Sequence, residues 1–466
     1  MRLLKLIGVL SLVTIFSTGC YKSENVENNP INLFDELPIY NEEKREISEN
    51  VKIIAGSADL TLPSNSIEVG KINEIDLNND KKDEIVFFEK REDIRNEVGF
   101  TVLNSNDNES NDTSYTKHGN KIEYANFYDL DNDGNKEIIL LIQDKNIITL
   151  NICRYEEGEI KELISNENYD YFNKDDFTKL GVLVDDLDDD NTLELVVYNY
   201  NYKSKEMDLN ICHFKDNQIS ILDRLVFENI RNFEDIEISV GNISSKDKAL
   251  FLSLPNNEDT GYTTQVVYLQ DKELVNAFGD TKSQIKNGYF IPFEDVNNDG
   301  ITNIPKIELS SVTIDTLSTS TFPTSLIISW NKYNGKQGED ADVIFVSQIY
   351  YNYEANFRFL IPNNLVGKLS VIEDTENRSG NYKVFNFYYN STNTYSETSP
   401  HERKLLFTLN VTEKTIVDDT KNISKTGNNV YESDKYIFSV SDMNMTEMKK
   451  LDLNIEILKD YFSAIK

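Results

Sequence analysis

The chain has 466 residues but few of the side chains on which many catalytic and metal sites depend. Its only histidines, His118, His213 and His401, lie in unrelated contexts, which argues against a Ser–His–Asp triad or a histidine-ligated zinc site. Three cysteines supply no disulfide framework. Phosphate-binding, dinucleotide-binding, Gly-x-Ser-x-Gly and His-Glu-x-x-His motifs are also missing. A carboxylate pair for glycoside chemistry stays open among 80 acidic residues, although no pair stands out.

Positive charge is scarce as well. The 47 lysines and arginines are outnumbered by the acidic residues, and the formal net charge is −33. Nucleic-acid binding needs a basic surface for phosphate contacts, so this composition predicts no nucleic-acid partner. An acidic surface attracts divalent cations. The alternative is a well-solvated surface with no specific ligand.

Long apolar runs are missing, apart from one stretch near the N-terminus. Residues 6–16 are mostly apolar and follow a short basic segment, a pattern typical of a secretory signal and too short to span a bilayer. The residues Ser17-Thr18-Gly19-Cys20 come next. They resemble a bacterial lipoprotein lipobox, in which cleavage before the cysteine is coupled to its acylation. An ordinary signal peptide with a chance cysteine is the alternative.

This resemblance implies a lipoprotein signal peptide over residues 1–19 and lipidation at Cys20. Residues 20–48 are rich in Asn, Glu and Ser and predict a flexible linker. The expected location is the outer face of the cytoplasmic membrane, within the cell envelope. The bilayer is then a partner through acylated Cys20, since two acyl chains anchor a protein stably.

An acidic stretch recurs along the chain and dominates its organisation. Residues 129–138 read Asp-Leu-Asp-Asn-Asp-Gly-Asn-Lys-Glu-Ile, and similar stretches begin at residues 76, 186 and 295. A copy without its acids begins at residue 242, so the spacing is about 55 residues throughout. Each copy is followed by a short run of β-branched and aromatic residues. Four short strands per unit of this length predict a β-propeller of about five four-stranded blades over residues 49–350.

These stretches resemble the FG-GAP/VCBS repeats of integrin-alpha-like β-propellers, whose loops bind calcium. The resemblance implies Ca²⁺ as a structural cofactor in up to three or four loops. A turn without metal is the alternative, and an EF-hand is rejected because a strand, not a helix, follows residue 137. The implied ligands are Asp129, Asp131, Asp133, Asn135 through its carbonyl, and Glu137; Asp186, Asp188, Asp190 and Glu194; and Asp76, Asn78, Asp80 and Glu84.

The copies differ at the position where glycine is favoured. Residues 134 and 300 are glycine, Asn191 tolerates a left-handed conformation, and Lys81 would adopt it at some strain. The copy at 295 ends in neutral Asn303, which predicts weak or absent metal binding. Cys153 and Cys212 occupy matching positions in neighbouring units, which favours equivalent buried core sites over redox or metal chemistry.

The repeat stops near residue 350, and residues 351–466 predict a separate α+β domain. Several strand-like segments precede one apolar stripe at helical spacing, with Asn444 and Glu447 placed like a capping box. The stripe predicts one C-terminal helix and comprises Met448, Leu451, Ile455, Leu458, Phe462 and Ile465. Tyrosines at 350, 351 and 353 suggest either sugar stacking or ordinary strand-face packing.

These features favour a lipid-anchored, extracytoplasmic protein that binds a protein or a glycan and is not an enzyme. The alternative is a carbohydrate-active enzyme, lyase-like or glycosidase-like, built on a propeller. A cleft with convergent carboxylates and lysine or tyrosine would favour the enzyme. A scaffold for envelope assembly is a third hypothesis and predicts a large apolar patch.

Overall fold

A computed structural model describes residues 42–64, 69–92, 96–103, 112–165, 178–279, 284–308, 322–376, 382–390, 403–414 and 427–465. The predicted signal peptide and Cys20 lie outside these residues. None of the described helices has the length and apolar composition needed to cross a membrane. The chain divides into two units, residues 1–56 and 57–466.

The first unit contains helix α1, Glu42–Ala55. The flexible linker predicted over residues 20–48 is therefore wrong for residues 42–48. The segment is rich in good helix formers, and Arg45 lies one turn from Glu49, with 3.8 Å between Nε and Oε1. The composition that suggested a linker also suits a solvated helix.

The described part of the second unit is mainly β and forms six antiparallel sheets in chain order. The first sheet contains β1 Asp59–Leu60, β2 Ile72–Ile75, β3 Glu84–Arg91, β4 Glu97–Leu103 and β5 Asp112–His118. The second contains β6 Lys121–Tyr128, β7 Glu137–Asp144, β8 Ile147–Glu156 and β9 Glu159–Ser165. The third contains β10 Thr178–Asp185, β11 Glu194–Asn201, β12 Glu206–Lys215 and β13 Gln218–Phe227.

The remaining sheets follow the same plan with additions. The fourth contains β14 Glu237–Asn242, β15 Lys248–Pro255, β16 Tyr262–Gln270, β17 Glu273–Asn276 and β18 Lys286–Asn287. The fifth contains β19 Ile304–Ile307, β20 Ser325–Tyr333, β21 Val343–Asn352, β22 Phe357–Ile361 and β28 Phe462–Ala464. The sixth contains β23 Leu369–Glu373, β24 Tyr382–Asn390, β25 Arg403–Glu413, β26 Asn428–Glu432 and β27 Tyr436–Ser441.

Successive sheets pack face to face, and strand β7 shows why. Its alternate residues point to opposite faces of the sheet. Ile138 and Leu140 pack with the first sheet, whereas Ile139 and Leu141 pack with the third. Both faces are therefore buried, which explains the continuous apolar run after the acidic stretch. Similar clusters join the third sheet to the fourth, the fourth to the fifth and the fifth to the sixth.

The predicted boundary between residues 350 and 351 falls inside strand β21. Strand β22 pairs with β21, and β28 from the end of the chain pairs with β22. Phe357 and Phe359 of the fifth sheet share one core with Phe387 and Phe407 of the sixth. Five blades followed by a separate α+β domain are thus not confirmed. The strand-like segments predicted beyond residue 351 form the sixth sheet, but its packing on the fifth was not predicted because no acidic stretch marks it as part of the same series.

The prediction of a single C-terminal helix is also wrong. Two short helices, α2 Met445–Lys450 and α3 Ile455–Tyr461, precede the final strand β28. Asn444 caps α2 as predicted, accepting a hydrogen bond from the Glu447 backbone N–H at 3.2 Å. Asn454 caps α3 in the same way, and Asp452 between them has a left-handed φ of 51°. The second cap breaks the helix that the apolar stripe suggested.

Candidate functional site

The acidic stretches form four loops. Three of them join paired strands, β2 to β3, β6 to β7 and β10 to β11, and the fourth is closed by an isolated bridge between Glu294 and Asn303. We name them the Asp76 loop (residues 76–84), the Asp129 loop (129–137), the Asp186 loop (186–194) and the Asp295 loop (295–303). Their ninth residues are buried, and each accepts a hydrogen bond from the backbone N–H of the second residue. The four pairs are Leu77 to Glu84 at 2.9 Å, Leu130 to Glu137 at 2.9 Å, Leu187 to Glu194 at 2.8 Å and Val296 to Asn303 at 3.0 Å.

The first aspartate also closes the turn in every loop. Asp129 accepts hydrogen bonds from the backbone N–H groups of Asp133 and Gly134, at 3.0 and 2.9 Å. Asp186 and Asp295 accept the equivalent pairs, and Asp76 accepts one from Lys81 at 2.9 Å. The loop geometry is therefore built from backbone hydrogen bonds to carboxylates, including at Asp295, where the ninth residue is uncharged.

Two positions in each loop have a left-handed backbone. The sixth was predicted, with φ of 68° at Lys81, 95° at Gly134, 66° at Asn191 and 82° at Gly300. The fourth was missed, with φ of 57° at Asn79, 59° at Asn132, 60° at Asp189 and 56° at Asn298. Asn and Asp tolerate this region best after glycine. Their recurrence at the fourth position was the available signal.

Replacing the strained lysine by glycine is expected to stabilise the protein. Lys81 is exposed and has the only long side chain at the sixth position. Lys81→Gly relieves the left-handed strain but adds chain entropy to the unfolded state, so we expect a net gain of about 0.5–1 kcal/mol in urea unfolding. Lys82→Gly is the control, because residue 82 lacks a positive φ. It should lower stability, and equal effects of the two changes would contradict the assignment.

Among the described residues, two acidic groups bring their oxygens close enough to hold a metal ion. They are Asp129, Asp131 and Glu137, and Asp186, Asp188 and Glu194, with ligand atoms within 4.8 Å of one another in each. Asp133 and Asp190 are predicted ligands outside these sets. Each instead accepts a backbone N–H two residues ahead, from Asn135 at 2.8 Å and from Thr192 at 2.7 Å.

A guanidinium lies in the middle of the Asp129 loop. Arg154 on β8 pairs with Glu137 on β7, and its Nε–H donates to Glu137 Oε1 at 2.7 Å. Its Nη1 donates to Asp133 Oδ2 at 2.9 Å, and its Nη2 donates to Asp131 Oδ2 at 3.0 Å. Burial raises the pKa of Glu137 to about 7, although Arg154 and the Leu130 N–H oppose this shift. Three of the predicted ligands thus already have a cation, and the loop does not fit a metal.

In the part of the chain that the structure describes, no cation lies among the carboxylates of the Asp186 loop. Lys248 lies at its edge, where Nζ donates to Asp185 Oδ1 at 2.7 Å and to the Asp186 carbonyl at 2.9 Å. The residue opposite Glu194 is His213, and its ring makes no hydrogen bond or ion pair with the loop acids in the described structure. Burial raises the pKa of Glu194 to about 7, and the charges of Asp188, Asp190 and Asp186 raise it further. Burial and the charges of Asp190 and Asp186 also raise the pKa of Asp188. The three convergent carboxylates of Asp186, Asp188 and Glu194, which offer oxygen ligands alone, fit a hard divalent cation.

The other two loops have fewer convergent acids. In the Asp76 loop, Asn78 Nδ2 donates to Glu84 Oε1 at 3.3 Å, so the amide partly satisfies the buried carboxylate. Burial still raises the pKa of Glu84. In the Asp295 loop, Lys332 Nζ lies 3.9 Å from Asp299 Oδ2. Neither loop forms a three-carboxylate group among the described residues.

The matching cysteines are buried core residues, as predicted. Cys153 pairs with Ile138 and Cys212 with Leu195, one residue beyond the buried glutamate in each sheet. A register shift precedes both cysteines. Burial raises the pKa of Cys212 to about 12, so the thiolate is disfavoured.

A cleft of about 660 Å³ lies at the other end of the strands that lead into the acidic loops. Strands β6, β10 and β14 are edge strands of three successive sheets, and their first residues line it. We name it the edge-strand cleft. Its size falls within the range of roughly 300–1,000 Å³ found for small-molecule sites. Its charged and aromatic lining includes Lys121, Glu123, Lys179, Tyr198, Phe233, Glu234 and Glu237.

An aromatic pair occupies one wall of this cleft. The rings of Tyr198 and Phe233 are stacked, with centroids 5.8 Å apart. Tyr198 pairs across the sheet with Gly181, and a Cβ at residue 181 would lie 2.2 Å from Tyr198 Cζ. Only glycine lets the tyrosine ring lie across β10. The sequence did not reveal this arrangement, since Gly181 and Tyr198 are 17 residues apart.

Charged groups of both signs surround the aromatic pair. Lys121 Nζ lies 2.8 Å from Glu123 Oε1. Burial raises the pKa of Tyr198 to about 12, and the nearby charge of Glu237 adds to the shift. Burial also raises the pKa of Glu237, with Asp235 contributing. The cleft therefore offers a stacking surface, hydrogen-bond donors and acceptors, and a carboxyl that holds its proton more tightly than usual.

Comparison with known proteins identifies no family. No protein-family model matches the chain, and no curated protein matches it. Similar solved structures include the rhamnogalacturonan lyase YesW, with 12% identity, a TM-score of 0.26 and coverage of 50% of this chain and 52% of that one. The exotype rhamnogalacturonan lyase YesX shows 11% identity, a TM-score of 0.27 and coverage of 69% and 62%. A Lactobacillus plantarum protein shows 9% identity, a TM-score of 0.25 and coverage of 69% and 94%.

This chain thus spans about half the length of YesW and less than two thirds of YesX. Likenesses at these TM-scores carry no argument about activity.

Proposed function

We propose that the protein is a lipid-anchored, extracytoplasmic module that binds a glycan in the edge-strand cleft. Its sheets are the blades of a propeller of the FG-GAP/VCBS type, and the chain is tethered through acylated Cys20. Calcium in the Asp186 loop holds two strands of the third sheet together and has a structural role. The observation that carries the glycan proposal is the stacked Tyr198–Phe233 pair inside a cleft lined by charged groups.

Sugars suit this lining for physical reasons. An aromatic face covers the apolar C–H side of a pyranose ring, while lysine and glutamate side chains bond to its hydroxyls. The cleft contains three glutamates but two lysines, and the whole chain carries a charge of −33. Such a field repels polyanions. We therefore propose neutral glycans as ligands in preference to polyuronates or phosphate-rich polymers.

Removing the aromatic wall is expected to weaken binding. Tyr198→Ala should lower affinity for a neutral oligosaccharide about tenfold, because about 1.4 kcal/mol of stacking corresponds to that factor. Gly181→Ala should weaken binding as well, since the new methyl displaces the Tyr198 ring. A glycan panel followed by titration calorimetry on the purified protein measures both effects.

The control for this experiment is an exposed aromatic outside the cleft. Tyr353 packs edge-on against Phe322 with centroids 5.1 Å apart. Of the predicted tyrosines at 350, 351 and 353, Tyr353 is exposed, whereas Tyr350 and Tyr351 are buried. Tyr353→Ala should leave the affinity unchanged. Loss of binding in Tyr353→Ala but not in Tyr198→Ala would place the glycan elsewhere and reject the cleft.

A carbohydrate-active enzyme is the second candidate, favoured by the lysines, glutamates and tyrosine that line one cleft. A carboxyl such as that of Glu237, whose pKa is raised, is suited to donate a proton to a leaving group. Incubating the panel with the protein tests this candidate. New reducing or unsaturated ends that disappear in Glu237→Gln would establish an enzyme, whereas unchanged oligosaccharides support binding alone.

A further inference from the structure

We infer that Arg154 replaces the metal ion in the Asp129 loop, so the acidic stretch that best matches a calcium site binds no calcium. A side chain from the neighbouring strand β8 supplies the positive charge instead. The inference concerns metal occupancy and is independent of the glycan proposal.

The contacts of the guanidinium carry this inference. It donates to three different carboxylates of one loop, those of Asp131, Asp133 and Glu137, at 2.7–3.0 Å in three of the bonds. A second bond to Glu137 Oε1 comes from Nη2. A divalent ion bound by these oxygens would need the same central space and would be repelled by the guanidinium. Calcium binding would therefore require the buried Arg154 side chain to leave.

Burial and charge-assisted hydrogen bonds both hold the Arg154 side chain in the loop. It is 11% exposed, and Glu137 is fully buried. Charge-assisted bonds to a planar fork are stronger than neutral ones, and arginine stays protonated under all ordinary conditions. Leaving would break these bonds, deprive the buried Glu137 carboxylate of its cation and expose the apolar stem of Arg154 to water.

The sequences of the equivalent strands show that the arginine is particular to the Asp129 loop when it is compared with the Asp186 loop. In the segments Leu-Asn-Ile-Cys-Arg-Tyr (150–155) and Leu-Asn-Ile-Cys-His-Phe (209–214), the residue after the cysteine is Arg154 in one sheet and His213 in the next. His213 lies opposite Glu194, as Arg154 lies opposite Glu137. The two loops thus have the same backbone arrangement, but the residue paired with the buried glutamate is arginine in one and histidine in the other. Among the described residues, the Arg154 guanidinium bonds to three carboxylates of the Asp129 loop, whereas Lys248 bonds only to Asp185 and to the Asp186 carbonyl at the edge of the Asp186 loop.

Calcium titration of an arginine variant tests the inference. The protein is titrated with calcium chloride after chelation, and Arg154→Gln is compared with wild type. We expect Arg154→Gln to bind one more equivalent than wild type, in roughly the 0.1–1 mM range of extracellular sites. Its melting temperature should fall in chelator and recover in millimolar calcium. The same stoichiometry in both proteins would overturn the inference.

A second variant keeps the test valid if Arg154→Gln fails to fold. Asp131→Asn removes a loop carboxylate and leaves Arg154 and Glu137 in place. We expect its calcium stoichiometry to equal that of wild type, and loss of an equivalent would overturn the inference. Asp188→Asn is the matched change in the Asp186 loop and reports separately on the calcium proposal. Arg154→Lys, which retains a positive charge, should gain no calcium.

Discussion

Replacing Glu137 by alanine is expected to destabilise the protein by about 3–5 kcal/mol, far more than an average substitution. Glu137 is fully buried and has two kinds of partner. Its Oε2 accepts the Leu130 backbone N–H at 2.9 Å, and its Oε1 accepts two N–H groups of Arg154. Without Glu137, a buried guanidinium loses its principal partner and a backbone donor is left unsatisfied. The unpaired guanidinium and the unsatisfied backbone N–H both lower the free energy of unfolding.

Urea unfolding in the presence of chelator measures this loss. Glu194→Ala is the matched control, because Glu194 is similarly buried and accepts the Leu187 N–H, but bonds to no guanidinium among the residues that the structure describes. We expect it to lose about 1–3 kcal/mol for the unsatisfied donor, partly offset by relief of repulsion from the neighbouring aspartates. Equal losses in the two variants would mean that the Arg154 contacts contribute little to stability.

The comparison between these loops shows what a local pattern predicts. The spacing of acids and glycine gives the turn, the buried ninth residue and the strand that follows, because all of these depend on residues within a few positions. The cation that occupies the loop cannot be predicted in this way. Its place depends on a residue 17 positions beyond Glu137, brought opposite it by the pairing of β7 with β8. The aligned copies around Cys153 and Cys212 contained this information, since they placed Arg154 and His213 at one position.

The number of sheets is a second feature that the local pattern does not predict. The acidic loops mark the first five sheets, counting the copy without acids at residue 242, and end with the Asp295 loop. The sixth sheet has apolar strands such as β24 and β25 but no acidic loop before them, so a motif-based period ends too early. Pairing of β28 with β22 is a contact over about a hundred residues, which no local pattern encodes. The edge-strand cleft was not predicted for the same reason, because residues of three different sheets line it.

The contact between the chain end and the fifth sheet leads to the second large effect. Phe462→Ala is expected to cost about 3–5 kcal/mol, as for other buried phenylalanines. The Phe462 ring is 4.7 Å from that of Phe359 and 6.1 Å from those of Phe357 and Phe387, measured between centroids. Removing it opens a cavity where the fifth and sixth sheets meet. Exposed Phe322 is the control, and Phe322→Ala should change stability by less than about 0.5 kcal/mol.

The single tryptophan makes this variant informative about domain structure. Trp330 is buried in β20 of the fifth sheet, so its fluorescence reports on that sheet, while far-ultraviolet circular dichroism reports on all strands. Because the two sheets share one core, we expect Phe462→Ala to lower both urea midpoints together. A separate C-terminal domain would instead unfold early in the circular dichroism and leave the Trp330 transition where it is in wild type. That outcome would restore the domain boundary near residue 350 and contradict the shared core.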